Sequence, residues 1–173
     1  IQRTNRTNDE EYLHAAVAPP PAAPRLVFAE LQTAGRGRRG REWLAPFGSG
    51  LTFSIGWTFA EMPADLSALG LALGVCVVRV LRELGAPEVQ LKWPNDVVYR
   101  HAKLGGLLLQ MRSEAGGPAY VVAGLGLNLA LPEAPLLRQV ICLESDCAPA
   151  LLPASRTLAQ GAAFVFASQG VSG

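Results

Sequence analysis

Apolar residues in this chain fall mostly into short segments of β type, and only one stretch has the periodicity of a long helix. That stretch is Pro63–Leu84. Its apolar residues recur at helical spacing, and they are Leu66, Leu69, Leu73, Val77, Val80, Leu81 and Leu84. Gly85 follows and is expected to end the helix. Most of the remaining core must then be formed by strands.

Six segments rich in β-branched, aromatic or leucine residues predict strands: Arg25–Leu31, Leu51–Phe59, Val89–Trp93, Val97–Tyr99, Leu104–Met111 and Tyr120–Leu131. Ser113–Pro118 is expected to form the hairpin turn between the last two. Shorter helices are predicted after a capping box at Asn8–Glu11 and over Arg156–Ala167. Strands joined by hairpins with a few segregated helices predict an α+β fold, with a mixed, largely antiparallel β-sheet backed by helices.

Composition limits the classes of function that are open to the chain. Half of its 173 residues are hydrophobic, 17% are charged and the net charge is +1. A chain of this kind can bury a core, and no bulk charge draws it to nucleic acid or anionic lipid. The longest apolar run is interrupted by Arg79, Arg82 and Glu83, so no membrane span is expected. Three cysteines without metal-ligand spacing suit a reducing compartment, and we expect a cytoplasmic protein.

The most distinctive segment is a glycine- and arginine-rich loop, Gly35–Arg41, which reads GRGRRGR. Guanidinium groups bind phosphates through paired hydrogen bonds, and interleaved glycines let the backbone approach an anion. The segment therefore predicts an anion-binding loop that closes over its ligand. A solvated basic loop and a nucleic-acid patch remain alternatives, although no basic stripe elsewhere in the sequence extends it.

A second motif contains both lysines of a chain that has thirteen arginines. It consists of Lys92–Asp96 (KWPND) followed by Lys103–Gly106 (KLGG). One interpretation is an ordinary strand–turn–strand with Trp93 in the core. Lys103 at the start of an otherwise apolar strand favours a binding site, because an ammonium group in an apolar wall needs an anionic partner.

A third motif alternates along a predicted strand, in the segment Gly124–Leu129 (GLGLNL). Its leucines share one face, whereas Gly124, Gly126 and Asn128 share the other. Such a glycine face is either a close contact with another backbone or the floor of a pocket. The sequence has no P-loop, no nucleophile elbow and no histidine pair, which disfavours the familiar nucleotide-binding, hydrolase and metal sites.

Together these segments resemble the catalytic domain of biotin–protein ligases. The matching stretches are AELQTAGRGRRGREWLAPFGSGLTFS, LKWPNDVVYRHAKLGGLLLQM and VVAGLGLNLAL, in this order, within residues 8–131. The resemblance implies a fold shared with lipoate–protein ligases and class II synthetases. It also implies a biotin–[acetyl-CoA-carboxylase] ligase, which uses ATP and Mg²⁺ to form biotinyl-5′-AMP and transfers biotin to a lysine of a biotin carboxyl carrier protein.

The resemblance also implies a role for particular residues. Gln32, with Thr7 and Asn8, is expected to bind the fused rings of biotin. Lys103, Arg38 and Asp96 are expected to be catalytic, with Lys103 between the biotin carboxylate and the α-phosphate and Asp96 orienting Mg²⁺. Arg36, like Arg38, is expected to cover the carboxylate and the phosphates, and Trp43 to form the wall on the nucleotide side. Asn128 is expected to face the adenine. The other expected binding residues are glycines: Gly106, Gly124 and Gly126 line the pocket, and Gly35 and Gly37 belong to the loop.

The chain departs from the family pattern in three places. Arg6-Thr7-Asn8 stands where the family has Ser-Thr-Asn, and a copy of this tripeptide, Arg3-Thr4-Asn5, precedes it. A large Arg6 is expected to crowd the biotin pocket. We expect one catalytic domain over residues 1–173, in which residues 132–173 form a weak tail. No N-terminal helix-turn-helix and no complete C-terminal SH3-like domain are expected.

Several alternatives remain open from the sequence. A lipoate or octanoate ligase uses the same fold, although the arginine loop and the KWPND segment fit biotin better. A non-catalytic module that binds biotin or nucleotide is a second alternative, and a nucleic-acid binder is a more distant one. The resemblance allows a homodimer, and neither membrane association nor DNA binding is expected.

Overall fold

A computed structural model of the protein describes residues 3–4, 6–7, 24–44, 46–61, 65–113 and 118–130. Its strands are β1 (Arg3–Thr4), β2 (Arg25–Ala29), β3 (Leu31–Gln32), β4 (Gly50–Phe59), β5 (Val89–Lys92), β6 (Asp96–Tyr99), β7 (Ala102–Ser113) and β8 (Ala119–Asn128). Helix α1 spans Leu66–Glu83, and a 3₁₀ turn spans Arg38–Gly40. The six predicted strands are all present, with ends that differ by up to three residues.

The main sheet has six strands in the order β2-β4-β8-β7-β6-β5, and every neighbouring pair in it is antiparallel. A separate parallel pair joins β1 to β3 and brings the N-terminal segment alongside Gln32. The structure therefore confirms the α+β class and the largely antiparallel pairing, and the one parallel pair lies in a separate two-stranded sheet. The β7–β8 pairing runs to Ser113 and Ala119, as the predicted hairpin requires.

Helix α1 packs on one face of this sheet. Val78 and Leu81 of α1 join a buried cluster with leucines of the central strands, among them Leu107, Leu125 and Leu127. The helix approaches β5 closely, because a Cβ atom on Gly74 would lie 2.7 Å from Leu91 Cδ1. One residue predicted on the buried face, Val80, is instead 52% exposed. The helical turn explains this, since two residues rotate the side chain by about 200° from Val78.

Both ends of α1 have sequence-encoded caps. Asp65 is the N-cap, and its carboxylate accepts hydrogen bonds from the backbone N–H groups of Ser67 and Ala68. At the other end the N–H of Ala86 donates to the Leu81 carbonyl and Gly85 has φ +101°, so Gly85 ends the helix as predicted. Pro63, the predicted helix start, lies outside the described residues.

Other predicted features also fall outside the described residues: the capping box at Asn8–Glu11, the helix over Arg156–Ala167, the weak tail and two of the three cysteines. Cys76, the third cysteine, is exposed on α1. Within the described part of the chain, no helix is both long enough and apolar enough to cross a membrane.

The opposite face of the sheet carries a row of small and polar side chains. Thr52 of β4 pairs with Gly126 of β8, which pairs with Gly106 of β7, which pairs with Asp96 of β6. Directly paired residues of neighbouring strands project to the same side. The row therefore crosses four strands, on the side of the sheet opposite the leucine core.

Candidate functional site

A cavity of about 560 Å³ lies over this row. Its floor includes Gly106, Gly124 and Gly126, and its walls come from the N-terminal segment, the arginine-rich loop and the β5–β6 turn. All three glycines were predicted from the sequence to line a pocket. Because Gly106 and Gly124 have no side chains, the space above them remains open to a ligand, whereas the space above Gly126 is taken by the Trp43 ring.

The amine of Lys103 reaches this cavity because β7 contains a β-bulge. In a regular strand Lys103 and Gly106, which are three residues apart, would project to opposite faces. The β6–β7 register shifts between Val97 and Val98, since Val97 pairs with Gly105 and Val98 pairs with Lys103. Leu104 is the extra residue and is fully buried. Lys103 and Gly106 consequently both line the cavity.

The anionic partner that the sequence predicts for Lys103 is Asp96. Lys103 Nζ lies 2.7 Å from Asp96 Oδ1, and the two side chains are 37% and 30% exposed. The same ammonium group lies 5.7 Å from the centroid of the Trp43 ring, within the range of a cation–π contact. Lys103 is therefore oriented from two sides and still faces the cavity.

The arginine-rich loop folds back on itself over the cavity. Arg36 and Glu42 form an isolated antiparallel bridge, and the N–H of Gly37 donates to the Arg41 carbonyl at 2.7 Å. Between them Arg39 adopts the left-handed conformation with φ 58°. Arg36, Gly37, Arg38 and Arg41 all line the cavity. The loop thus presents several guanidinium groups to one space.

Trp43 occupies the floor at Gly126. A Cβ atom on Gly126 would lie 2.6 Å from two carbons of the Trp43 ring, so the indole packs directly on the glycine backbone. The backbone N–H of Trp43 donates to the Gly35 carbonyl at 2.9 Å, and a Cβ on Gly35 would collide with the Trp43 carbonyl. Gly35 is buried beneath the loop and does not itself line the cavity. It allows the loop to fold, rather than contributing a wall.

The turn between β5 and β6 is tied both to β7 and to the loop. Asn95 Nδ2 donates to the Leu107 carbonyl at 2.7 Å, and the N–H of Leu107 donates to the Asn95 carbonyl at 2.9 Å. Asn95 Oδ1 accepts from Arg38 Nη1 at 3.4 Å. Arg38 is therefore held beside Asp96 and Lys103. The interpretation that places Trp93 in the core is wrong, because this side chain is 76% exposed and lines the cavity. Its peptide bond to Pro94 is cis.

At the other end of the cavity, Thr7 and Gln32 form a hydrogen-bonded unit. The backbone N–H of Thr7 donates to Gln32 Oε1 at 2.9 Å, and Thr7 Oγ1 lies 3.5 Å from the same oxygen. Ser54 Oγ lies 2.6 Å from Thr7 Oγ1. Arg6 is half-buried and lines the cavity next to Thr7. The second copy of the tripeptide thus supplies side chains to this end.

Two predicted site residues within the described part of the chain, Gly35 and Asn128, do not line the cavity. Asn8 lies outside the described residues. Asn128 is 4% exposed, pairs with Gly50 of β4 and is absent from the described cavity lining. The face predicted for the third motif is correct, but only its two glycines line the cavity.

The sequence reasoning missed Thr52, Ser54 and Asn95. Thr52 lines the cavity and Ser54 supports Thr7, and both follow the alternation of β4, whose even-numbered residues Thr52, Ser54 and Gly56 are all buried. Small polar residues at every second position of a strand were the available signal. Asn95 was assigned only to a turn, and nothing in the sequence indicates that its side chain contacts Arg38, 57 residues away.

The site is rich in fixed positive charge and poor in groups that transfer protons. Five cationic side chains besides Arg6 line the cavity, against the acidic side chains of Asp96 and Glu42, and the described lining contains no histidine or cysteine. The described residues also contain no group of three His, Cys, Asp or Glu side chains that could hold a metal ion. The arrangement suits an anionic ligand whose charge increases or moves during reaction.

The sequence and the fold match known proteins. The family model for the biotin/lipoate A/B protein ligase family matches residues 1–128. The bifunctional ligase/repressor BirA of Escherichia coli is 45% identical over 104 residues, which are 60% of this chain and 32% of that protein. The biotin–[acetyl-CoA-carboxylase] ligase of Paracoccus denitrificans is 35% identical over 141 residues, which are 75% of this chain and 53% of that protein. The chain thus spans between a third and about half of these relatives.

Solved structures give the same result for the fold. The biotin protein ligase of Leishmania major in complex with biotinyl-5-AMP aligns with a TM-score of 0.67 and 28% identity, over 83% of this chain and 61% of that one. The biotin protein ligase of Aquifex aeolicus in complex with biotin and ATP aligns with a TM-score of 0.67 and 27% identity, over 83% of this chain and 58% of that one.

The packing of Trp43 on Gly126 leads to a first prediction. We expect Gly126→Ala to displace the indole, because the added methyl group would overlap the ring. The measurement is the emission of Trp43 alone, with Trp57 and Trp93 replaced by Phe, and we expect a red shift and stronger quenching by acrylamide. Gly106→Ala is the matched control, because its nearest atoms would lie at an ordinary 3.5 Å. Identical emission in both variants would contradict the described packing.

Proposed function

Because the chain belongs to the biotin/lipoate A/B protein ligase family, we propose that its cavity activates biotin with ATP. The product is biotinyl-5′-AMP, from which biotin passes to a lysine of a biotin carboxyl carrier protein in the cytoplasm. The observation that carries this proposal is the position of Lys103, held by Asp96 at 2.7 Å on a glycine floor beneath the arginine-rich loop. A cation so placed can stabilise charge between a carboxylate and a phosphate.

Different parts of the cavity bind different parts of the substrates. The Thr7–Gln32 unit offers hydrogen bonds to the fused rings of biotin. Arg36 and Arg38, which both line the cavity, bind the carboxylate and the phosphates through their guanidinium groups, with Arg38 placed beside Asn95. Trp43, which packs on Gly126, forms the wall on the nucleotide side, and Gly106 and Gly124 leave room for the acyl chain and the phosphate. The distribution of polar and charged side chains along the cavity supports this orientation.

In the first half-reaction a carboxylate oxygen of biotin attacks the α-phosphorus of ATP. The new O–P bond replaces the bond to the β-phosphate oxygen, and pyrophosphate leaves. The biotin carboxylate is already ionised near neutral pH, so no general base is required. Lys103 and Arg38 stabilise the negative charge that builds on the phosphoryl oxygens, and the preformed cavity holds the reactants in line.

The side chains of the cavity fit Mg²⁺ only if the phosphates of the nucleotide supply most of its ligands. Asp96 supplies a carboxylate at the phosphate end, and Mg²⁺ in such sites is usually held by one or two carboxylates, substrate phosphates and water. When bound, Mg²⁺ would neutralise phosphate charge. Asp96 also orients Lys103, so this one carboxylate would serve both cations.

In the second half-reaction the ε-amine of the carrier lysine attacks the carbonyl carbon of biotinyl-5′-AMP. An amide bond forms, the mixed anhydride opens, AMP leaves and the amine loses a proton. The arginine-rich loop must retain the adenylate until the carrier arrives, because water would otherwise hydrolyse it. The bonds from Asn95 to Arg38 and from Gly37 to Arg41 support a closed loop.

Biotin-dependent exchange of pyrophosphate into ATP tests the proposal directly. Exchange that requires biotin, followed by labelling of a carrier domain, is the expected result. Exchange driven by lipoate or octanoate instead would favour a ligase for those acids. Binding of biotin without exchange would favour a non-catalytic module.

Lys103→Ala is expected to lower the exchange rate by about a hundredfold or more, the usual effect of removing one donor that stabilises a developing oxyanion. Folding should be intact, because Lys103 is partly exposed and its ion pair contributes little. Lys92→Ala, at the only other lysine, is the control and should leave exchange unchanged, since Lys92 is exposed and lies outside the described lining. Normal exchange in Lys103→Ala would exclude the assigned role.

Arg38→Gly is expected to release biotinyl-5′-AMP roughly tenfold faster, because the variant loses a charge-assisted hydrogen bond to the intermediate and the contact to Asn95. The measurement is the rate at which free adenylate appears during single-turnover synthesis, with the melting temperature followed in parallel. Arg38→Lys keeps the charge but not the planar fork, so its release rate should be intermediate. A variant that retains the adenylate as well as the parent does would count against the role of Arg38.

Arg6→Ser is expected to lower the Kd for biotin roughly tenfold, because it frees space beside Thr7 and adds a hydroxyl group that can hydrogen-bond. The structure supports the change, since Arg6 is half-buried in the cavity wall. Calorimetric titration with biotin measures the effect, and the Kd for ATP should not change. If the affinity for biotin does not rise, Arg6 does not occupy the position of the family serine.

A further inference from the structure

We propose that Ser54 is a positioning residue that acts through Thr7 to fix the side-chain amide of Gln32, so that the cavity presents its NH₂ group to a ring carbonyl of the substrate. The inference deepens the proposed function and rests on it. Ser54 is fully buried in the middle of β4, where its strand partners are Val27 and Gly124. It does not line the cavity, so any effect on the ligand must pass through a neighbour.

The orientation of the Gln32 amide follows from one backbone contact. The N–H of Thr7 lies 2.9 Å from the atom assigned as Gln32 Oε1. A peptide N–H can only donate, so the atom that faces it must be the amide oxygen and not the nitrogen. Gln32 Nε2 then points away from Thr7, towards Gly35, where an added Cβ would lie 3.3 Å from it.

Ser54 determines how the Thr7 hydroxyl is used. The distance from Ser54 Oγ to Thr7 Oγ1 is 2.6 Å, that of a strong O–H···O hydrogen bond, and both residues are almost completely buried. When the Ser54 hydroxyl donates, Thr7 Oγ1 is the acceptor, and the Thr7 hydrogen can point to Gln32 Oε1 at 3.5 Å. Thr7 therefore directs both of its donors at one oxygen.

This arrangement of donors and acceptors favours one chemical class of substrate head group. Because the Gln32 oxygen is engaged by Thr7, the NH₂ group is the part of this amide that has both of its hydrogens left for other partners. A cyclic urea has a carbonyl oxygen that accepts such a bond, whereas a dithiolane ring and a simple acyl chain have only weak acceptors or none. Ser54 thus contributes to the preference for a ureido ring over the head groups of lipoate and octanoate, although no substrate touches it.

The test uses Ser54→Ala in the full chain. We expect the Kd for biotin to rise about tenfold, the usual consequence of disordering one buried hydrogen-bond partner, with no change in the Kd for ATP or octanoate. Ser49→Ala is the matched control. Ser49 is also a buried serine, but its hydroxyl donates to the Pro46 carbonyl outside the cavity, so biotin binding should be unchanged.

A double-mutant cycle with Thr7→Val separates positioning from a general loss of stability. If Ser54 acts only through the Thr7 hydroxyl, the double variant should bind biotin as weakly as Thr7→Val alone. Additive effects would overturn the inference, as would an unchanged Kd in Ser54→Ala. Ser54→Cys, which keeps the size of the side chain but donates weakly, should give an intermediate Kd and replaces Ser54→Ala if that variant does not fold. A parent chain that binds no biotin would overturn the proposed function itself, whereas biotin binding indifferent to Ser54 would overturn this inference alone.

Discussion

The bulge in β7 is the feature on which the arrangement of the site depends. If β7 were a regular strand without the bulge, its alternation would turn Lys103 into the leucine core, where its ammonium group would have no anion. With it, Leu104 fills the core and Lys103 meets Asp96 on the cavity side. This ion pair is partly exposed and contributes only about 0–1 kcal/mol to stability. Its effect is to hold the amine at a fixed position, which matters for a group that must meet developing charge.

The glycines of the central strands lower the stability of the sheet, but they are needed to form the site. A glycine within a strand costs about 0.5–1 kcal/mol relative to alanine. On β7 and β8 this loss is offset on the other face, where Leu107, Leu125 and Leu127 pack against α1. The two faces of the sheet therefore differ in role. One face packs against α1 and stabilises the fold, whereas the other lines the cavity. A substitution that fills the glycine face should harm binding before it harms folding.

The sequence predicted the elements better than their contacts. Helix α1 and its end at Gly85 were predictable because local periodicity and one glycine encode them. The three motifs were also found, and most of their residues meet in one cavity. The bulge was not predictable, because it is a property of the pairing between β6 and β7. The contact of Ser54 with Thr7 joins residues 47 positions apart, so no local pattern reveals it. Val80 shows the limit of periodicity itself, because spacing does not fix the centre of the buried face.

The two ends of the cavity differ in how they are held. At the Gln32 end, a fully buried serine, an almost buried threonine and a backbone N–H fix one amide before any ligand arrives. At the Arg38 end, the Arg38 side chain is exposed, and its contact to Asn95 in the β5–β6 turn is long at 3.4 Å. A preformed end lowers the entropy cost of recognising a small rigid ring. A loosely held end can open and close, as the proposed binding of ATP and of a carrier lysine in turn would require. In the proposed function, the rigid part of the fold would select the acid, and the adjustable part would serve its activation and transfer.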